Sequence, residues 1–200
     1  MTRIILVRHG ETLKNVEGKT HKYSDLESLT PYGIDQINLV ANALREYFPD
    51  IIYSSKENRA NESAKIISTK LNLKIIEVQG LEERNWGDFA GLPFDELKSK
   101  TGLEKMTFTE RYTFHPPNGE SWKEVEERLL ITLYKILNEN PDKTIILVTH
   151  GGCIRTLMPT LLNVGKEESY KYDPVNASIS VFDYNKGKFS KILYNNTVHL

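Results

Sequence analysis

The chain has 200 residues, of which 39% are hydrophobic and 26% charged, with a net charge of -1. That length suits one globular domain able to bury ~70% of its unfolded surface, and it excludes a chain dependent on staples for a core. A net charge this small excludes a general attraction to nucleic acid or to a membrane surface, so any anion must be held by a local cluster of cations.

Cys153 is the single cysteine, so neither an internal disulfide nor a cysteine-based zinc site can form. From Arg3 to Val7 the chain is short, apolar and β-branched, the pattern of a strand buried on both faces. The run is too brief for a signal sequence or a membrane span, so the cytoplasm is the expected compartment; an exported form would need a leader already removed. It stops at Arg8-His9-Gly10, and a loop is expected through Asp25. Thr30-Pro31 reads as an N-cap with proline in the first turn, and Ile34, Ile37, Ala41, Leu44 and Phe48 give an amphipathic helix closed by Pro49.

Ile51 to Tyr53 is a second strand, followed by a helix with Ala60, Ala64, Ile67 and Leu71 on one face, and Lys74 to Val78 is a third strand. From Gly80 to about Gly119 no periodicity is sustained except a short helical stretch from Phe94 to Leu97. Within one domain spanning residues 1–200, the segment 80–120 is therefore expected to be an excursion or lid. Ser121 and Glu124 form a capping box for a long helix whose buried stripe is Val125, Leu129, Leu133 and Ile136. Thr144 to Thr149 is the strongest strand signal, ending at His150-Gly151-Gly152 ahead of a helix with Ile154, Leu157, Met158 and Leu161. Ile179 and Val181 alternate with polar residues, and Asn185-Lys186-Gly187 turns the chain into a closing hairpin strand. The sum is an α/β fold: a three-layer α/β/α sandwich whose mostly parallel sheet carries an antiparallel hairpin at one edge.

In such sheets ligands bind beyond the carboxyl ends of the strands. Two of the most apolar strands end in Arg8-His9-Gly10 and His150-Gly151-Gly152, so both imidazoles face one crevice if the strands are neighbours. The helix after His150 would add its N-terminal amides, an anion-binding arrangement. Each histidine alone would read as a hydrogen-bonded residue at a strand end; the matched pair, one preceded by arginine, favours a site. Zinc is the alternative, but there is no His-x-His pair and no His-Glu-x-x-His helix, and the Walker and dinucleotide glycine motifs are absent.

Leu6-Val7-Arg8-His9-Gly10-Glu11-Thr12 resembles the signature of the histidine phosphatase superfamily, which includes the cofactor-dependent phosphoglycerate mutases. The resemblance continues through Leu29–Gln36, Ile52–Ser55 with Arg59-Ala60, Leu81–Gly87, Asn118–Ser121, Val148–Gly152 and the closing Asn195–Leu200. It implies a phosphoglycerate mutase-like fold and a phosphatase acting on small phosphomonoesters without metal or cofactor. His9 would be the nucleophile, Arg8, Arg59 and His150 the phosphoryl-binding groups and Glu83 the acid. Asn15 sits where the family commonly has an asparagine near the phosphate, and Gly151, Arg84 and Trp86 complete the candidate substrate-binding set. The sequence departs from the family at Lys56-Glu57-Asn58, a stretch where members often carry Pro-Leu or Asp-Leu before the arginine, and at Glu62-Ser63, where Gln-Thr is common. Neither departure is expected to touch the chemistry, although the first could tune the approach to the pocket.

On this reading His9 attacks phosphorus in line to give a phosphohistidine, and a free imidazole titrating near ~6.5 leaves it neutral near pH 7. The guanidinium forks hold phosphoryl oxygens, with protonated His150 as a further donor. Glu83 gives a proton to the departing alkoxide, which burial or a neighbouring phosphate would favour, and later takes one from water. Glu82 is the rival acid, but on an extended segment it would face the other way. Arg84 reads more readily as solvated than as a substrate contact, and Trp86 equally as a pocket cover or a core residue. His21 and His199 read as structural or solvated, Cys153 as packing, and Lys14, Lys19, His21 and Lys22 as a solvated positive loop. A phosphoglycerate mutase and a non-catalytic phospho-ligand module remain as competing functions; the short chain favours hydrolysis over the mutase. The only partner implied is a small phosphorylated substrate, with monomer and homodimer both open.

Overall fold

Buried β-branched runs alternate with amphipathic helices, and that alternation builds the architecture. The computed structural model describes residues 1–22 and 25–200. The strands are β1 (Thr2–Arg8), β2 (Ile51–Ser55), β3 (Ile75–Val78), β4 (Thr144–Thr149), β5 (Ile179–Asn185) and β6 (Lys188–Asn196). The helices are α1 (Leu13–Val16), α2 (Pro31–Leu44), α3 (Asn58–Leu71), α4 (Phe94–Thr101), α5 (Phe108–Thr113), α6 (Trp122–Glu139) and α7 (Gly151–Leu162). The strands form one mixed sheet in the order β3-β2-β4-β1-β5-β6. β1, β2, β3 and β4 are mutually parallel, while β5 and β6 run antiparallel as the edge hairpin. Lys186 and Gly187 both take positive φ at the hairpin turn, the left-handed pair that a tight two-residue connection requires.

Each central strand splits its side chains between two apolar layers. Ile5, Val7, Ile52, Ile146 and Val148 meet Ile37, Val40, Ala41 and Leu44 of α2 and Ala60, Ala64 and Ile67 of α3. Ile4, Leu6, Ile145 and Leu147 meet the apolar stripes of α6 and α7 on the other face. At ~1.5–3 kcal/mol per fully buried aliphatic side chain, these two layers supply the main drive for closing the sandwich. Among the described residues no helix is long and apolar enough to cross a membrane.

Some local expectations shift. Thr30 caps α2 through Gly33 N at 2.9 Å, but the helix ends at Leu44, and a 3-10 turn through Tyr47 leads to Phe48 at φ 48°. Ile34 and Phe48, expected on the buried stripe, are exposed: Phe48 falls after the helix has turned away, and Ile34 lies off the buried face, which Gly33, Ile37, Val40, Ala41 and Leu44 occupy. Helix α4 extends past Leu97 to Thr101, and the unanticipated α5 begins at a Thr107–Glu110 capping box. The 80–120 segment is thus largely ordered in short helices. Leu97 packs in the same apolar layer as Trp86 and Trp122, and Thr20 N donates to Leu92 O (2.9 Å), tying the segment to the loop after β1.

Candidate active site

Strand register brings the two histidines together. Arg8 pairs with Thr149 across the parallel β1–β4 ladder, so the next residues, His9 and His150, leave the sheet side by side. His9 N donates to Thr149 O (3.0 Å), and the two imidazole centroids lie 5.2 Å apart. Both rings are buried at the carboxyl end of the sheet.

The hydrogen bonds of His9 decide its tautomer. Nδ1 lies 2.7 Å from Gly10 O, an atom that only accepts, so Nδ1 carries the proton. Nε2 carries the ring's one available lone pair and accepts with it from Arg59 Nε at 3.2 Å, so this donor must turn to the phosphoryl group before Nε2 can attack. Burial, followed by the charges of Arg59, His150 and Arg8, pushes the His9 imidazolium well below its ordinary value, so the ring is neutral and nucleophilic at neutral pH. Gly10 is pinned in turn: its N donates to Ser63 Oγ (3.1 Å), while Asn176 Nδ2 donates to His9 O at 3.1 Å.

Three cationic or polar groups gather near His9, each with a buried nitrogen that has no partner among the described residues: Arg8 Nε, Arg59 Nη1 and His150 Nδ1. The remaining atoms of these groups are firmly held. Arg8 Nη1 donates to Pro174 O (2.6 Å), and its guanidinium lies against Gly151, where an added Cβ would come within 3.2 Å of Arg8 Cζ. Gly151 therefore serves the site by leaving room for Arg8. Unsatisfied buried polar groups cost ~1–3 kcal/mol each, and three of them gathered near one imidazole, two on guanidiniums, describe a cradle for an anion.

Glu83 also reaches this cradle. Its carboxylate accepts from Gly152 N (2.8 Å) at the start of α7 and from Arg84 N (2.9 Å). The first-turn amide of Gly152, expected to face a ligand, is thus engaged by the candidate acid. Glu82 turns the opposite way, accepting from Gly80 N at 2.6 Å.

Asn15 sits beside the loop with its Oδ1 accepting from Thr12 N (3.1 Å) and Asn176 Nδ2 (3.0 Å), leaving Nδ2 as its uncommitted end among the described residues. Arg84 is not a solvated surface residue. It is 2% exposed, donates to Glu120 O and Phe114 O, and stacks 3.9 Å over Trp86 and 4.8 Å from the Trp122 ring centre. Burial lowers its pKa to about 9. Trp86 meets Trp122 edge-on at 6.1 Å and belongs to the core. Arg84 and Trp86 together anchor the 80–120 segment rather than line the space around His9.

Two residues that sequence reasoning passed over stand in the site. Glu57 is buried, and its Oε2 takes Arg59 Nη2 (3.0 Å), His150 Nε2 (2.8 Å) and Glu83 N (2.9 Å). The expectation that Lys56-Glu57-Asn58 stays clear of the chemistry is therefore overturned, as Glu57 touches two phosphoryl-binding candidates and the acid's backbone. His21 packs edge-on against His9 at 6.0 Å, its Nε2 hydrogen-bonded with Thr12 Oγ1 (3.0 Å) and 3.1 Å from Glu27 Oε2, and burial, then nearby Arg59 and His150, lowers it to about 2. The expected positive loop is neutralised locally, since Lys14 pairs with Asp25 and Lys19 with Glu17. Cys153 is a buried packing residue whose thiol is pushed well up by burial. Among the described residues no group of three or more His, Cys, Asp or Glu side chains is arranged to hold a metal ion.

The family model of the histidine phosphatase superfamily (branch 1) matches residues 4–197. The chain belongs to the histidine phosphatase superfamily. It is 32% identical to a Bacillus subtilis protein described as uncharacterized phosphatase PhoE, over 100% of this chain and 97% of that protein. It is 33% identical to a 2,3-bisphosphoglycerate-dependent phosphoglycerate mutase of Cytophaga hutchinsonii, over 92% of this chain and 88% of the mutase. Its fold superposes on the phosphoserine-bound mutant of Entamoeba histolytica phosphoserine phosphatase with a TM-score of 0.89, at 31% identity and covering 100% of both chains.

Proposed function

We propose that this histidine phosphatase hydrolyses small phosphomonoesters through a phosphohistidine on His9, without a metal ion. The observation that carries the reading is the neutral His9, with Nε2 as its acceptor nitrogen, beside three buried nitrogens of Arg8, Arg59 and His150 that have no partner among the described residues. As Arg59 Nε–H passes from His9 Nε2 to a phosphoryl oxygen, the freed lone pair forms the N–P bond while the ester P–O bond breaks, and the departing alkoxide takes a proton from Glu83. Water then attacks the phosphohistidine, gives a proton to the Glu83 carboxylate, and the N–P bond breaks to release phosphate. Arg8, Arg59 and His150 neutralise the three equatorial oxygens throughout, the positioning and charge compensation on which phosphoryl transfer depends. These cations supply the charge that a divalent ion provides elsewhere.

Asn15 adds an amide donor at the rim, and the segment 87–119 is assigned the selection of the leaving group. The similarity to an Entamoeba enzyme bound to phosphoserine favours small carboxylate-bearing phosphomonoesters as first candidates. The similarity to the Cytophaga mutase supports a second reading, in which the phosphoryl group returns to glycerate instead of to water. Rapid quench with a radiolabelled phosphomonoester tests both. Hydrolysis predicts acid-labile phosphate on the wild-type protein, none on His9→Ala, and free phosphate as product. Product appearing as 2-phosphoglycerate, dependent on bisphosphoglycerate and with little free phosphate, would instead establish the mutase.

A further inference from the structure

Among the described residues, Glu57 is the one buried carboxylate in contact with the phosphoryl-binding groups that the proposed reaction leaves without a task. Three donors converge on its Oε2, from Arg59, His150 and the Glu83 backbone. Because a carboxylate only accepts, His150 must present Nε2–H to it, and Ser55 Oγ lies 2.9 Å from the same nitrogen. That fixes the ring orientation and turns the other nitrogen, Nδ1, away from Glu57 and Ser55. Nδ1 is buried and has no partner among the described residues. It can donate to a phosphoryl oxygen only when both ring nitrogens carry protons. A neutral His150 would aim a lone pair at the incoming anion and repel it.

We propose that Glu57 is a positioning residue: its carboxylate holds His150 as an imidazolium with Nδ1–H directed at the phosphoryl group and locks the Arg59 fork beside it. The inference rests on the phosphohistidine reading above. Charges facing His150 come from every side. Glu57 and Arg59 lie at the start of α3, His9 and Arg8 at the end of β1, His21 on the following loop and Glu83 after β3. Burial, with Arg59, opposes charge on His150 and in the site without substrate outweighs Glu57 and Glu83, leaving the ring below its ordinary value. On the acid itself burial alone would raise the Glu57 carboxyl, but the His150 ring, their hydrogen bond, Arg59 and the Glu83 amide outweigh it and hold the group below the usual carboxylate range. Glu57 is therefore ionised wherever the enzyme turns over, and a bound phosphate dianion adds to its pull on His150.

The test is the pH profile of kcat for p-nitrophenyl phosphate in the wild type, Glu57→Gln and Glu57→Asp. Glutamine keeps the size and an accepting oxygen but removes the charge. Its alkaline limb should move to lower pH by about one unit or more, each unit meaning ~tenfold lower activity above the limb. Well below the limb, where His150 is protonated in either protein, the two should agree within a few-fold. Aspartate should restore the position of the limb even if its overall rate is lower. A loss in Glu57→Gln that is the same at every pH would overturn the proposal, because it would mark a purely structural acid. Quenched-flow detection of acid-labile phosphate on the wild type keeps the two ideas separate. Its absence would sink the phosphohistidine reading, whereas its presence with an unmoved limb would sink only the assignment of Glu57.

Discussion

Gly152→Ala tests the acid without altering any titratable group. A methyl carbon built at this position lies 2.7 Å from Trp122 Cη2 and 3.0 Å from the Glu83 carboxyl carbon, and it meets Oε1 at closer range still. Ordinary contacts between such atoms begin near ~3.5 Å, so the carboxylate must retreat by about 1 Å or tilt out of its hydrogen bond with Gly152 N. The helix itself tolerates alanine well, so the backbone is not the casualty. A displacement of ~1 Å at a proton-transferring group costs on the order of 10²-fold in rate. That cost should fall only on substrates whose leaving group needs the proton. In kcat/KM, which reports steps through phosphoenzyme formation, an alkyl phosphate should lose ~100-fold while p-nitrophenyl phosphate changes by no more than a few-fold. A melting temperature close to wild type would confirm that the core has absorbed the methyl. Equal losses for the alkyl and aryl esters would refute the assignment of Glu83 as acid, as would no loss for either.

Other consequences are equally direct. Arg59→Lys removes both the Nε–H on His9 and the unpartnered Nη1, and should lower kcat/KM by ~10²–10³-fold for alkyl and aryl esters alike; a selective effect on one class would contradict a phosphoryl-binding role. His9 and His21 are held neutral by burial, whereas in the unfolded chain each titrates near ~6.5, so only the unfolded state takes up their protons as the pH falls. Urea unfolding should therefore show stability falling by about 1 kcal/mol per histidine between pH 6 and pH 5, with a shallower slope in His21→Gln; a flat dependence would refute the burial argument. Prolonged treatment with EDTA should leave turnover unchanged, and activity restored only by an added divalent ion would refute a mechanism carried by arginines.

The frame of the fold was legible because its signals are local. β1 and β4 are apolar through their centres, since both faces of a central strand are covered, and their abrupt ends at His9 and His150 mark where the sheet stops and a ligand can enter. The register that sets those ends level needs only that the two strands be parallel neighbours. Helices α3, α6 and α7 carry apolar residues at spacings of three and four, and α6 carries its Ser121 cap as well. The 80–120 segment was harder. Its helices are short, and their buried residues, such as Leu97, are too few to establish a period. The Thr107–Glu110 capping box was the available signal for α5, and it went unread because no apolar stripe follows it.

The misread charges have a different cause, which bears on how such sites are found. Arg84 and Glu57 look like surface residues in sequence because isolated charges are almost always solvated. A charge becomes tolerable inside only when several partners from distant parts of the chain reach it, and each partner is invisible until the chain is folded. Arg84 is met by backbone carbonyls of Phe114 and Glu120 and by the ring faces of Trp86 and Trp122. Glu57 draws on β4's end through His150, on the segment after β3 through Glu83, and on its own helix through Arg59. What the sequence did offer was the position: Glu57 is two residues before Arg59, the proposed phosphoryl-binding arginine, at a helix start whose first turn must sit at the carboxyl end of the sheet. An acid there has to be either in solvent or in contact with the anion cradle. The buried alternative implies a coupling between Glu57 and His150 that a solvated acid could not have. The combined effect of Glu57→Gln and His150→Gln should accordingly be far smaller than the product of the single losses, since without an imidazole the counter-ion has nothing left to hold. Multiplicative losses would place Glu57 outside the phosphoryl-binding unit, whatever its distance from the ring.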